Sequence, residues 1–330
     1  MQGALTDVRA TVNMTMKKIH RETLLMFCFV AIGLVAFLEP FAARAFAHDS
    51  SIVDDGLELW KAIVLGVVEG LTEFLPISST GHLLGAKELM HLDHTETSEQ
   101  AIDSYIISIQ IGAIFAIVVL YKNRILQMYS GLRGQSEVGK VVLRNLAAAF
   151  IPTAIIGFLL ADYVKDQLYG TESVAYAWIL GGICILIAHQ KNLLRQGELS
   201  MENHSLRGAV IVGLVQALAL WPGVSRSLVT IFALVALGLS LAAAVEFSFL
   251  LGLVTLSAAT FYELSQDGGK IVDLFGYWTP LIGLFAAFVS AIVSVKWMVS
   301  WLENKSFSVF GFYRIGIGVL AIILLSAEVL

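Results

Sequence analysis

Apolar residues run along this chain in blocks of roughly 15 to 25, without the strict alternation that strands of a membrane β-barrel show over about ten residues. Blocks of that length suit helices that cross about 30 Å of hydrocarbon at about 1.5 Å per residue. The pattern predicts spans at 102–121, 141–161, 174–190, 241–264, 277–300 and 309–329. Two further apolar stretches are interrupted near their middles. The first covers 58–75 and 78–90 around Pro76, the second 206–221 and 225–239 around Pro222. Proline removes a helix hydrogen bond and kinks or stops the helix. The halves flanking Pro76 are each too short to cross, so a pair that dips in and returns on the same side is predicted. Irregular backbone at membrane depth needs protein or a watery cavity around it.

The order repeats: broken pair, three spans, broken pair, three spans. "GVVEGLTEFLPISST" (66–80) aligns with "GLVQALALWPGVSRS" (213–227) across one gap, matching Gly66 with Gly213, Glu69 with Gln216, Pro76 with Pro222 and Ser79 with Ser225. The expected fold is therefore all-α: a polytopic membrane helix bundle of two inverted-topology repeats, each a re-entrant helix pair plus three transmembrane spans. Residues 51–200 form the first repeat, 201–330 the second, and 1–50 an N-terminal extension.

Charge placement sets the sides. The 122–144 connection carries Lys122, Arg124, Arg133, Lys140 and Arg144 against Glu137 alone, and 191–207 carries Lys191, Arg195 and Arg207. Both are cytoplasmic under the positive-inside rule. The connections at 91–101, 162–173 and 265–276 lean acidic and face outward. An odd number of spans per unit inverts the second repeat. The tips 77–82 and 223–227 then meet near the middle of the membrane, as in inverted-repeat transporters. Helix N-termini aimed at a shared centre suit an anion.

Composition agrees with a membrane protein: 57% hydrophobic and 14% charged residues, with mean hydropathy +0.80, where soluble domains carry about 25% charge. The net charge of −5 says little, and no nucleic-acid partner is expected. Cys28 and Cys184 both lie in apolar runs without metal-ligand neighbours, and read as packing residues. At the N-terminus, a basic head, the apolar run Leu24–Phe37 and a small-residue end fit either a cleaved signal peptide or an extra anchor. Either delivers His48 onward to the outer side.

Against that background "EGLTEFLPISSTGH" (69–82) places two carboxylates, three hydroxyls and a histidine where lipid should be. Glu69 and Glu73 share a helix face. Buried acids need partners or a metal, so the pair reads as a general base, a divalent-metal ligand pair, or both. Three hydroxyls, Ser78, Ser79 and Thr80, exceed what a helix cap needs. His82 follows Ser79 by three residues, and a serine activated by a histidine is a known nucleophile arrangement. "PGVSRS" (222–227) supplies Arg226 between Ser225 and Ser227, and its planar fork matches phosphate oxygens. Glu246 lines the cavity or pairs with a buried cation. Arg314 reads as a snorkelling interface residue, Gly181-Gly182 as close helix packing, and His204 as replaceable.

"EGLTEFLPISSTGH" and "PGVSRS" resemble the two signature motifs of bacterial undecaprenyl-pyrophosphate phosphatases of the bacitracin-resistance type. "IQIGAIFAIVVLY" (109–121), "WILGGICILIA" (178–188) and "EFSFLLG" (246–252) extend the resemblance over 55–329. It implies a multi-pass enzyme of the bacterial inner (plasma) membrane whose site opens toward the periplasmic side. Such an enzyme hydrolyses undecaprenyl pyrophosphate to undecaprenyl phosphate and inorganic phosphate, recycling the lipid carrier for peptidoglycan and conferring bacitracin resistance. The resemblance makes Glu69, Glu73, Ser79, His82 and Arg226 catalytic, and two schemes fit them: Ser79 attacks phosphorus with His82 taking its proton, or the glutamates activate a metal-bound water and Ser79 binds phosphate. Ser78, Thr80, Ser225 and Ser227 fall beside the substrate, and Glu69 and Glu73 beside a divalent cation, Mg2+ or Ca2+. The partners are the polyprenyl pyrophosphate lipid and the membrane, with a homodimer left open. Leu228 departs from the family pattern, which has glycine there. A transporter or polyprenyl-phosphate flippase is the alternative that an inverted repeat also suits.

Overall fold

The computed structural model describes residues 57–327 apart from 93–95, 196 and 305. The expectations for the N-terminal extension and for Cys28 lie outside the described residues. The chain is built from helices: α1 (Leu59–Thr72), α2 (Ser79–Leu89), α3 (Glu96–Ser108), α4 (Gln110–Leu120), α5 (Lys122–Leu132) and α6 (Glu137–Leu168). They are followed by α7 (Thr171–Gln190), α8 (Leu206–Gln216), α9 (Arg226–Ala236), α10 (Leu241–Phe275), α11 (Trp278–Asn304) and α12 (Ser308–Ser326).

Among the described residues, six helical stretches are long and apolar enough to cross a membrane: Glu99–Leu120, Glu137–Ala161, Thr171–Gln190, Leu241–Gln266, Trp278–Leu302 and Ser308–Ser326. Each begins and ends within four residues of its predicted span. The first joins α3 and α4 across a break at Ile109. The basic stretch read as a connection from 122 is in its first half a helix, α5, with Lys122 and Arg124 in its first turn. The two broken pairs appear as α1–α2 and α8–α9. At 14 residues, α1 spans about 21 Å, too little for a crossing.

The helix pairings repeat. The first broken pair lies on a span of the second half, α1 against α11, and the second lies on the matching span of the first half, α8 against α6. The other contacts follow the same exchange: α3 with α10, α7 with α12, and α4 with α11 as α6 with α10. Aligned glycines explain the close approach. A side chain at Gly66 would collide with the Gly283 backbone, and one at Gly213 with the Ala149 backbone. A hydroxyl on each partner span bonds the same glycine's carbonyl: Ser290 Oγ donates to Gly66 O (3.4 Å), and Thr153 Oγ1 to Gly213 O (2.7 Å).

The main core lies between the two broken pairs and includes Phe74, Ile77, Leu228, Ile231, Phe249 and Val295. Large apolar side chains such as Phe158, Leu159, Phe285 and Phe312 point outward instead, as a lipid-facing surface requires. Cys184 is also exposed on α7. Several charges near the helix ends are paired. Lys87 reaches Asp103 (2.8 Å) and Glu99 (3.3 Å), and Arg124 reaches Glu246 (2.7 Å). Of the two readings of Glu246, the pairing with a cation is the one found, although Arg124 and Glu246 also line one polar pocket with Tyr121, Asn123 and Gln127.

Candidate active site

Between α1 and α2 the chain cannot stay helical. Pro76 offers no N–H, and Ser78 adopts φ 71°, a left-handed conformation that costs a non-glycine residue about 1–3 kcal/mol unless its surroundings enforce it. The surroundings do so through the carbonyls. Leu75 O accepts from Ser227 Oγ (2.9 Å) and more distantly from Ser225 Oγ (3.5 Å). Pro76 O accepts from Arg314 Nη1 (3.2 Å), Ile77 O from Trp178 Nε1 (2.8 Å), and Ser78 O from His82 Nδ1 (2.6 Å). Four consecutive carbonyls are thus each held by a side chain. Buried carbonyls must find donors somewhere, and here three find them on distant elements and the fourth on the first turn of α2.

That terminus begins at Ser79, and α9 begins at Arg226. Both side chains converge on one carboxylate. Ser79 Oγ donates to Glu73 Oε2, while Arg226 Nη2 donates to Glu73 Oε1 at 2.7 Å. Glu73 is only 8% exposed, so the ion pair sits in a poorly solvated setting where charge pairing is strong and a lone charge is costly. Arg226 is held in place by more than Glu73. Its Nη1 donates to Ser248 O (2.8 Å), and its guanidinium lies over the Phe74 ring at 5.6 Å. Ser248 is fixed in turn by Thr230, hydroxyl to hydroxyl at 2.6 Å. Nε of Arg226 is buried without a hydrogen-bond partner among the described residues, a donor available to an anion.

Glu69 lies one helical turn before Glu73 and is fully buried at 0% exposure. Neither of its carboxylate oxygens has a hydrogen-bond partner among the described residues. An ionised carboxylate cannot stay so without a counter-charge. The orphaned pair of oxygens therefore fits a cation, with hard oxygen donors of the kind Mg2+ and Ca2+ take. Glu73 has less to offer, since Ser79 and Arg226 already occupy both of its oxygens. The described residues contain no cluster of three or more His, Cys, Asp or Glu that would hold a metal alone. Further oxygens would have to come from elsewhere, such as substrate phosphate.

The other expected site residues lie close by, with different partners from those the spacing suggests. The Ser79 hydroxyl is bonded to Glu73, whereas His82 uses Nδ1 on Ser78 O and Nε2 on the Tyr313 hydroxyl (2.8 Å). Ser225 and Ser227 bond each other (3.0 Å) and brace Leu75 O, and Ser225 also caps α9 at Leu228 N (3.3 Å). Leu228 itself is buried in the core. Ser78 is buried, and Thr80 half-buried, beside this loop.

Arg314 corrects an expectation. It does not snorkel but is 0% exposed, and it binds Pro76 O, Ala177 O (2.9 Å) and Gly223 O (2.8 Å), tying both tips to α7. Gly181 makes room for its guanidinium and Gly182 for the Gly311 backbone, so the glycine pair does serve close packing. His204 has packing partners of its own. It is buried against Phe247, and its carbonyl accepts from Asn145 Nδ2 (2.8 Å). Trp178, Tyr313 and Ser248 also join the site, though nothing in the chemistry of their local sequence marks them for it. The resembling segments "WILGGICILIA" and "EFSFLLG" contain the first and last of them, which was the one available signal.

Residues 62–320 match the family described as bacitracin resistance protein BacA. A protein named undecaprenyl-diphosphatase from Aquifex aeolicus (strain VF5) is 41% identical over 263 residues, which is 78% of this chain and 95% of that protein. One of the same name from Dechloromonas aromatica (strain RCB) is 39% identical over 269 residues, 81% of this chain and 95% of that protein. Undecaprenyl-diphosphatase 1 of Acinetobacter baylyi is 37% identical over 269 residues, 82% and 96% of the two chains. With the family model matched over residues 62–320 and three relatives of 37–41% identity covered over 95–96% of their length, the chain belongs to the bacitracin resistance protein BacA family.

Proposed function

We propose that this protein is an integral membrane phosphatase that hydrolyses undecaprenyl diphosphate to undecaprenyl phosphate and inorganic phosphate. This recycles the lipid carrier of cell-wall synthesis and removes the lipid that bacitracin sequesters. The observation that carries the reading is the convergence of Ser79 and Arg226, each the first residue of a helix from a different half of the chain, on Glu73. The family relationship supports it independently.

Phosphoryl transfer asks mainly for positioning and charge stabilisation. The prenyl tail stays among lipid and the diphosphate reaches the polar centre. The uncommitted N–H groups of Arg226 and the first amides of α2 and α9 bind its oxygens. Ser79 Oγ bonds to the terminal phosphorus as the bond to the bridging oxygen breaks, and that electron pair leaves with undecaprenyl phosphate. Glu73, already hydrogen-bonded to the hydroxyl, takes its proton. Water then attacks the phosphoserine, the P–Oγ bond breaks, and Glu73 returns the proton to Oγ as inorganic phosphate departs. A divalent cation, Mg2+ or Ca2+, held by Glu69 with help from Glu73, would supply neutralisation of phosphate charge.

The site lies in the inner membrane and opens to the periplasmic side, as the acidic outer and basic inner connections favour. The two repeats are inverted relative to each other, which the exchanged helix pairings support. One copy holds every residue named, so the scheme needs no dimer. A transporter or flippase has the same use for exchanged repeats, but not for a serine hydroxyl committed to a buried carboxylate. Turnover separates the two: purified protein in detergent micelles, which have no sides, releases phosphate from undecaprenyl diphosphate with added Mg2+ or Ca2+. No release under those conditions would leave transport standing.

A further inference from the structure

His82 has no lone pair to spare for the Ser79 proton. Its Nδ1 lies 2.6 Å from Ser78 O, and a carbonyl only accepts, so Nδ1 carries the hydrogen. In the neutral ring Nε2 must then be the acceptor, and it takes its hydrogen bond from the Tyr313 hydroxyl at 2.8 Å. The ring is also fixed in plane. It stacks on Tyr313 with centroids 5.7 Å apart and 10° between planes, and meets Trp178 edge-on at 4.9 Å. Trp178 in turn holds Ile77 O, and the residue after Tyr313, Arg314, holds Pro76 O and Gly223 O.

We infer that His82 is a latch on the Ser78 carbonyl, with its Nε2 lone pair occupied by Tyr313, and that both are positioning residues for Ser79 rather than carriers of its proton. Ser78 is the strained residue of the turn, and Ser79 follows it directly. A left-handed residue persists only while its surroundings over-determine it. Releasing Ser78 O lets the turn relax, and the first residue of α2 moves away from Glu73. Small displacements of a nucleophile are costly in rate. The latch completes the row of four: Ser227 for residue 75, Arg314 for 76, Trp178 for 77 and His82 for 78.

The inference rests on the phosphatase reading for its kinetic test only. A latch needs a donor at the Nδ1 position, and asparagine supplies one there, whereas a proton acceptor needs imidazole chemistry. In the purified full-length protein, phosphate release by His82→Asn is expected to stay within about tenfold of wild type in kcat, and that by His82→Ala to fall by about a hundredfold or more. Tyr313→Phe loses one hydrogen bond and lowers kcat by about threefold to tenfold with KM unchanged. The tautomer is read without activity, by nitrogen NMR of histidine-labelled protein, with His82 assigned by its loss in His82→Asn. Wild type and Tyr313→Phe both show a protonated Nδ1 and an unprotonated Nε2, because Ser78 O still accepts from Nδ1 in the variant. A folded His82→Asn as inactive as His82→Ala, or a wild-type ring protonated at Nε2 alone, overturns the latch. Wild type that releases no phosphate while showing the Nδ1–H tautomer sinks the phosphatase reading and leaves the latch standing.

Discussion

The two broken helix pairs share a scaffold and divide the chemistry. In both, a glycine at the same aligned place, Gly66 or Gly213, presses on the partner span, and a hydroxyl on that span bonds its carbonyl. In both, serine stands three residues after proline at the start of a half-helix. They differ where Glu69 aligns with Gln216. Gln216 is buried too, but its Nε2 donates to Thr153 Oγ1 at 2.9 Å. Its Oε1 has no partner among the described residues, a cost that a neutral amide bears more easily than a carboxylate, which in the same kind of place looks for a cation. Position 226 reverses the contrast, with arginine in the second pair where the first has Thr80. One ancestral-looking frame thus holds anions on one side and their counter-charge on the other, and neither half suffices alone. The difference teaches that the site is a property of the pairing rather than of either motif.

Removing the cation from the second pair has the largest expected effect. Arg226→Ala deletes the phosphate-binding fork and leaves Glu73 buried beside no positive charge, and kcat is expected to fall by about a thousandfold or more. Arg226→Lys does not rescue it, because an ammonium cannot bridge Glu73 and Ser248 O together. Making the first pair resemble the second, by Glu69→Gln, is expected to cost about a hundredfold and to raise the Mg2+ or Ca2+ concentration needed for half-maximal phosphate release. The shared scaffold predicts a different result for Gly213→Leu. Overpacking against Ala149 should cost about 1–3 kcal/mol, read as lowered thermal stability in detergent, with the remaining folded protein still active. The smallest effect concerns His204, outside the spans. Burial holds its pKa below the ordinary 6.5, so the unfolded chain binds the proton more readily. Stability is therefore lost as pH falls through about 6.5, and His204→Gln should flatten that loss between pH 7 and 5.5 in the same thermal assay.

Much of this was legible in the chain. The six spans follow from hydropathy alone, and Pro76 and Pro222 marked both tips because each sits among Ser and Gly between short apolar halves, unlike Pro152, which lies inside α6. Glu69, Glu73, Ser79, His82 and Arg226 stood out because lipid does not tolerate such groups without a use. What stayed hidden were partners far apart in sequence. Arg314 looked like a residue at the mouth of a span, since its position within α12 says nothing of the three carbonyls from Pro76, Ala177 and Gly223 that surround it. Glu246 meets Arg124 from a helix read as a connection. The spacing of Ser79 and His82 suggested a pair, yet at the first turn of α2 the imidazole points to the Ser78 carbonyl and leaves the hydroxyl to Glu73. Local spacing shows which residues share a segment, while tertiary packing decides which atom each one meets.

The most direct test is phosphate release from undecaprenyl diphosphate by purified Ser79→Ala in detergent micelles, beside wild type and with Mg2+ or Ca2+ present. Loss of nearly all turnover, by about a thousandfold or more, is the result expected if Ser79, bonded to Glu73 and facing Arg226, attacks phosphorus. Near-normal turnover by a folded Ser79→Ala would contradict it and pass the attack to water.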